Sequence, residues 1–475
     1  MKFLQLIFIT IVTTVACIAQ AVTAGVVVDP RGAPVVGARV TCEGGLEATT
    51  AEDGHFAIAR CAAYKVTVSA KGFRQIEVSP NGTPIVLEPS FVSASVDVTR
   101  IDSAINETPA SVVSIAREAL QNSGSLTLDD RLRQVPGFTL FRRAGSSTAN
   151  PTTQGVSLRG VGASGASRAL VVNDGVPLND PFGGWVYWGR VPSEAIQGVE
   201  MIRGAASDLY GSSAVGGVIS IVERSSQTLP FADLDVTYGS ERSPFGSFFG
   251  GVGIETVRAT LGAEAYRTNG FIPTAPESRG PVDTAANVGR YSLRPRLEFR
   301  PRSSVSMFLA TALYQERRRN GSSLQNNDTR IAEMTLGGDV TTKHMGVFGL
   351  RLYGLTEKYH QSFSAIAANR QTESLNRLQT VLSQALGANV QWTRAFGRNA
   401  VFIGSDVRQV RGRSDETAIA NGIAMSLTSA GGRETTFGTF TGGVIEWKRL
   451  TLSGGLRYDA WSNTAGYSAT RSITA

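Results

Sequence analysis

Between Val257 and Tyr266 the chain reads VRATLGAEAY, and its side chains divide in two. Val257, Ala259, Leu261, Ala263 and Ala265 fall on one side, and Arg258, Thr260, Gly262, Glu264 and Tyr266 on the other. At Tyr291–Arg300 the residues Tyr291, Leu293, Pro295, Leu297 and Phe299 alternate with Ser292, Arg294, Arg296, Glu298 and Arg300, and Leu450–Asp459 divides the same way. A period of two belongs to a strand. Strands of soluble sandwiches average about 5–6 residues. Several of these run for about ten, with strong charges on the polar side, as a wall does between lipid and a polar lumen. About eleven such segments follow Pro230, with turn residues between them, so residues 230–475 read as an antiparallel transmembrane β-barrel.

The amino terminus fixes the compartment. Lys2 precedes the apolar run FLQLIFITIVTTVACIA, which ends in AQA at Ala19–Ala21. A basic start, an apolar stretch and small residues make residues 1–21 a secretory signal peptide, cut after Ala21 or, as second choice, after Ala24. A membrane anchor is the alternative, but the run is short of the roughly 20 apolar residues of a spanning helix, and no later run approaches that length. Cys17 makes a poor lipoprotein site, because Thr14 stands where leucine is expected. With 42% hydrophobic residues and 52 glycines in 475, the chain is neither disordered nor a helical membrane protein. Its net charge of +7 is scattered and accompanies no nucleic-acid-binding pattern, so no nucleic-acid partner is expected. Arg317–Arg319, beside Asn320-Gly321, read as the flank of a turn, either solvated or facing anionic headgroups.

Three segments lie between signal and barrel. Residues 22–88 alternate in short runs around Pro/Gly turns and Asp53-Gly54, which argues for a small β-sandwich. Cys42 and Cys61 both fall in it, in a compartment that permits disulfides, and spacing leaves their pairing open. Residues 89–107 form a linker in which Val92, Ala94, Val96 and Val98 alternate with Ser93, Ser95 and Asp97; such a segment can add itself to a partner's sheet edge or serve as a plain spacer. Residues 108–225 read as α+β. Thr127–Asp130 resembles a capping box, and Leu128, Leu132 and Val135 share a helix face that stops at Pro136-Gly137. Gly160, Gly162 and Gly165 spell the dinucleotide fingerprint. They run into a β-branched strand ending at Asp174-Gly175, where a fingerprint would open a helix, so that reading fails.

Two resemblances follow from these residues. Gly25 to Val40 matches the opening of the carboxypeptidase regulatory-like, transthyretin-type domain, which names a fold and no peptidase activity. GVSLRGVGASGASRALVVNDGVPLND (Gly155–Asp180) and VEMIRGAASDLYGSSAVGGVISIV (Val199–Val222) resemble the plug of TonB-dependent outer-membrane receptors, and TPASVVSIAREAL and VPGF resemble its start. The resemblance implies a mainly β protein: an N-terminal β-sandwich, an α+β plug and a transmembrane antiparallel β-barrel. About eleven strands are roughly half of the 22 in a plugged transporter. The ending ATRSITA also lacks the family's terminal aromatic, so the barrel is read as incomplete.

The resemblance also implies a mechanism and an address. Ligand binds from outside, and the TonB complex of the inner membrane pulls on a handle just before the plug. By position that handle is Ser95, Val96, Asp97, Val98 and Thr99. The barrel sits in outer-membrane lipid of Gram-negative type, with the N-terminal module and handle in the periplasm. Arg159 and Arg203 match plug arginines that pair with barrel carboxylates, or else salt-bridge within the plug. The loop after Asp180 lies near the plug's outer apex in this family. Phe182, Trp185, Tyr187 and Trp188, with Asn150 and Gln154 on the preceding loop, are therefore expected to line a ligand site as exposed stacking surfaces, packing of the plug being the alternative. The expected cargo is a small molecule, a ferric siderophore or other iron chelate first, then cobalamin or an oligosaccharide. A passive porin or structural barrel would need no plug. His55, His344 and His360 stand alone without any hydrolase or metalloenzyme motif, so neither catalysis nor a cofactor or metal site is expected.

Overall fold

The computed structural model describes residues 22–28, 34–42, 46–59, 61, 65–70, 76–79, 82–87, 111–142, 144–161, 167–204, 206–224, 229–396, 399–447 and 450–473. The signal peptide and the handle Ser95–Thr99 lie outside them. The chain forms two units, residues 1–94 and 95–475.

The first unit is a two-sheet sandwich. Its strands are β1 (Val22–Val28), β2 (Arg39–Cys42), β3 (Glu47–Thr49), β4 (His55–Ala59), β5 (Val66–Ser69), β6 (Ile76–Val78) and β7 (Ile85–Val86). One sheet runs β4-β1-β7 and the other β3-β2-β5-β6. Val27, Val40, Phe56, Val68 and Leu87 fill the space between them. Cys42 and Cys61 are joined by a disulfide, their Cα atoms 6.1 Å apart, within this core. The buried Thr50 hydroxyl donates to Val35 O (2.6 Å) and accepts from Ala38 N (2.8 Å), so its burial leaves nothing unpaired.

The plug opens with β8 (Val112–Ala116), α1 (Arg117–Gln121), α2 (Leu128–Leu132), β9 (Phe138–Leu140) and β10 (Val156–Leu158). It continues through β11 (Ala169–Asn173), β12 (Val176–Pro177), β13 (Ile196–Arg203), α3 (Ser207–Tyr210) and β14 (Gly217–Glu223). Five strands form one sheet in the order β12-β11-β14-β13-β8. Its alternate side chains serve two cores: Val171, Val199, Met201 and Ile219 on one face, Leu170, Val172, Ile202 and Val218 on the other. Leu128 and Leu132 of α2 are buried on one face; the helix ends at Leu132, short of Pro136-Gly137, and Val135 is buried from the turn that follows it. The capping box does not form: Thr127 Oγ1 donates to the Asp130 carboxylate at 3.1 Å and makes no backbone cap.

The Asp174-Gly175 turn has both residues at positive φ (50° and 77°) and joins β11 to β12 as a tight hairpin. Gly217 is fixed by space, since a Cβ there would lie 2.2 Å from Ile202 O. Gly160 and Gly175 therefore serve turns and Gly217 close backbone packing, and β11 stands where a dinucleotide site needs a helix; Gly162 and Gly165 lie outside the described residues.

The barrel wall is an antiparallel meander of 11 strands, each paired with its neighbour in sequence. They are β15 (Phe231–Gly239), β16 (Ser243–Gly253), β17 (Val257–Phe271), β18 (Asp283–Arg302), β19 (Val305–Ser322) and β20 (Asn326–Thr342). Then follow β21 (Gly346–Ile366), β22 (Glu373–Phe396), β23 (Asn399–Ala420), β24 (Ile423–Trp447) and β25 (Leu450–Ser472). Among the described residues β15 and β25 each pair on one side only. The alternation assigns faces as read from sequence. Glu264, Tyr266, Arg290, Ser292 and Arg294 turn inward and are buried, while Leu261, Tyr291, Leu293, Leu297, Leu452 and Leu456 turn outward and are exposed. No helix among the described residues is long and apolar enough to cross a membrane.

Candidate functional site

The loop from Asn179 to Pro192 is tied to the plug by its own polar side chains. Asn179 accepts from Val171 N (2.8 Å) and donates to Ala169 O (3.2 Å). Asp180 Oδ1 accepts from the amides of Phe182 (2.9 Å) and Gly183. Gly183 must be glycine, because the Trp185 ring covers the place a Cβ would take.

The aromatic side chains are not exposed as expected. Trp185, Tyr187 and Trp188 are only 7%, 1% and 4% accessible, while Phe182 is 44% accessible. Trp185 and Tyr187 sit two apart and project together onto the barrel wall, against Tyr314, Ile331, Leu355 and Ala385. Ring centroids lie 5.7 Å apart for Trp185–Tyr359 and for Tyr187–Tyr314. The Tyr187 hydroxyl meets Thr329 Oγ1 at 3.1 Å. Trp188 turns the other way and packs edge-on against Phe138 in the plug core. Asn150 and Gln154 are likewise engaged: Asn150 Oδ1 accepts from Thr152 N (3.2 Å), and the buried Gln154 donates to Ala149 O (2.9 Å). Of the six proposed ligand contacts, Phe182 alone presents an exposed side chain.

Charged groups line the rest of this seam. Arg190 donates to Leu178 O (3.0 Å) and to the carboxylate of Glu333 on β20. Glu264 on β17 takes both the amide (2.8 Å) and the hydroxyl (2.9 Å) of Ser193, and is itself held by Arg290 at 2.9 Å. Arg294 pairs with Glu223 at 2.8 Å and Arg296 with Asp174 at 2.6 Å. Arg318 on β19 donates to Ser146 O (3.0 Å) and Ala149 O. Ser247 on β16 accepts from Glu194 N at 3.0 Å. Strands β16 to β20 thus hold plug backbone and plug charges directly.

Arg159 and Arg203 do not take part. Arg203 donates to Pro136 O and Ser111 Oγ, each at 3.1 Å, and so braces the plug internally. Arg159 is exposed in a positive-φ turn (54°) and makes no ion pair among the described residues. The plug arginines that cross to barrel carboxylates are Arg190, to Glu333, and Arg224, to Asp233 on β15 at 2.6 Å; motif matching passed over both. The available signal was parity: Glu264, Arg290, Arg294 and Glu333 all occupy lumen-facing positions of alternating strands.

Asp180 has a second neighbour on the wall, Glu357 on β21. Asp180 Oδ2 and Glu357 Oε1 find no donor among the described residues, and two carboxyls can hydrogen-bond to each other only when one of them carries a proton. Burial pushes the Asp180 carboxyl above the usual range, against the pull of its two backbone amides and Arg190.

Comparison with known proteins gives this arrangement its family. Residues 224–474, more than half of the chain, match the family TonB dependent receptor-like, beta-barrel. Residues 104–218 match the TonB-dependent Receptor Plug Domain, and residues 23–99 the Carboxypeptidase regulatory-like domain. The chain belongs to the TonB-dependent receptors.

As a TonB-dependent receptor it is similar to the vitamin B12 transporter of Vibrio vulnificus, 24% identical over 79% of this chain and 60% of that protein. It is also similar to an iron-regulated outer membrane virulence protein of Vibrio cholerae, 32% identical over 34% of this chain and 22% of that one. The solved ferric yersiniabactin uptake receptor of Yersinia pestis shares its fold, with TM-score 0.59, 16% identity, and 76% of this chain covering 60% of that one. The chain spans less than two thirds of the length of each of these relatives.

Proposed function

We propose that this sequence serves energy-coupled uptake of a scarce, bulky nutrient across the outer membrane, a ferric siderophore foremost. The observation that carries the reading is the occupied lumen: buried pairs and hydrogen bonds from successive strands fix the plug to the wall. Passive diffusion needs no such body, and releasing it requires work. Ser95–Thr99, with Val96 and Val98 as the pairing residues, would add as a strand to a TonB sheet and transmit the pull. The N-terminal module and this handle would then face the periplasm.

Iron is favoured because a ferric yersiniabactin uptake receptor shares the fold and an iron-regulated outer membrane virulence protein is among the relatives. Cobalamin stands second, because a vitamin B12 transporter matches over most of the chain. Phe182, exposed on the loop, is the proposed ligand contact there, and the buried Trp185, Tyr187 and Trp188 act by holding the loop in place. The test is accumulation of radiolabelled ferric siderophore and radiolabelled cobalamin by cells whose receptor carries this sequence, with and without a protonophore. Accumulation of one of them that stops with the protonophore is expected. Uptake of neither, or uptake unaffected by the protonophore, overturns the reading.

A further inference from the structure

The outward face of the barrel carries a feature that plug and transport leave unused. Cross-strand pairing runs Tyr291, Gln315, Arg330, Lys358, Leu382 and Arg413 in one row over β18 to β23. The adjacent row runs Thr356, Gln384, Arg411, Arg433 and Thr464 over β21 to β25. Neither row contains an acid. Arg330 and Lys358 are direct cross-strand partners, and so are Arg411 and Arg433. Like charges placed opposite each other destabilise a sheet. Partial relief comes from the next row: Arg413 meets Asp415 at 3.1 Å, and Arg330 lies 3.5 Å from Asp328, which Arg317 already holds at 2.7 Å. Lys358, Arg411 and Arg433 have no carboxylate partner among the described residues.

A cavity of about 830 Å³ includes all five of these cations in its lining, together with the outward Leu313 and Leu382. Its depth in the membrane can be placed. Lys358 lies ten residues along β21 from Phe348, whose ring neighbours Trp392 at 6.5 Å on the same outward face. At ~3.3 Å per residue and a tilt near 40° that is about 25 Å, the height of the apolar band of such barrels. Between the two levels β21 and β22 turn Leu350, Leu352, Leu386 and Val390 outward, with the polar Thr356 and Gln384 only in the row next to Lys358. Lys358 therefore stands at headgroup level above a hydrocarbon band whose other border is aromatic.

We propose that this cavity binds a membrane lipid whose headgroup carries two phosphates. The Arg330–Lys358 and Arg411–Arg413–Arg433 groups flank β22, two strand spacings or about 10 Å apart, with Leu382 between them. Two separated cation groups suit two anionic groups on one headgroup, each held by charge-assisted hydrogen bonds, while the acyl chains lie on the leucines below. The triplet Arg317–Arg319 divides accordingly: Arg318 turns inward to the plug, while Arg317 and Arg319 extend the outward basic surface. The inference rests on the barrel spanning a membrane and is independent of what is transported.

The test loads the purified protein in detergent with diphosphoryl lipid A, monophosphoryl lipid A or phosphatidylglycerol. Lipid retained after detergent exchange is then read by native mass spectrometry. Retention of the diphosphoryl lipid on the order of tenfold above the other two is expected. The triple variant Lys358→Gln, Arg411→Gln, Arg433→Gln should lose that preference, and Lys358→Arg, Arg411→Lys, Arg433→Lys should keep it. Equal retention of the three lipids, an unchanged preference in the glutamine variant, or loss in the charge-preserving one each overturns the proposal.

Discussion

Arg190 of the plug and Glu333 of β20 meet across the seam with side chains only 1% and 4% accessible. Removing one partner strands a buried charge, which typically costs about 3–5 kcal/mol, while replacing both by apolar residues of similar size is often neutral. Arg190→Ala or Glu333→Ala should therefore loosen the plug, seen as faster proteolysis in the loop Asn179–Pro192 and a lower unfolding midpoint. The double variant Arg190→Met, Glu333→Leu should recover most of the loss. A double variant as weak as the sum of the singles would show that the pair does not act as a unit.

The aromatic loop separates packing from ligand contact. Trp185→Ala empties a buried site between plug and wall and should cost about 3–5 kcal/mol in denaturant unfolding. Phe182→Ala removes an exposed ring and should change stability by no more than about 0.5 kcal/mol, while weakening ligand binding. A Trp185→Ala protein as stable as the parent would contradict the clamp, and normal binding by Phe182→Ala would remove that residue from the ligand site.

Seating of the plug should also depend on pH. Burial raises Asp180 in the folded state above the ~3.9 of an unfolded chain, so the folded state holds the proton more tightly. That contribution is complete below about pH 4 and is lost as pH rises through the raised folded value. Glu357, Arg190, Tyr187 and Tyr359 surround the group, so its ionised form has one cation and a second carboxyl beside it. Protease access to the loop should increase with pH in the parent, and Asp180→Asn should flatten that dependence. An identical pH profile in both proteins would exclude Asp180 as the titrating group.

Strand alternation was legible because a two-residue period fixes which side faces the lumen, and Glu264, Arg294 and Leu297 sit where it puts them. The Asp174-Gly175 turn was legible from its dipeptide alone. The partners of Arg190 and Arg203 were not. Their contacts join positions far apart in sequence, which no local pattern encodes, and an arginine-glycine corner resembles a coupling site whether or not a carboxylate faces it. Trp185, Tyr187 and Trp188 were read as one exposed cluster because an irregular loop has no periodicity to say which way each ring turns. Their burial follows from the wall supplying Tyr314 and Tyr359 and the plug supplying Phe138.

The central claim, that a pull on the segment before the plug drives transport, is tested most directly by deleting Val96–Thr99 from the receptor carrying this sequence. Surface binding and accumulation of the labelled ligand are then measured in the same cells. The account predicts unchanged binding with accumulation reduced to the level of cells lacking the receptor. Full accumulation by the deletion variant would contradict it.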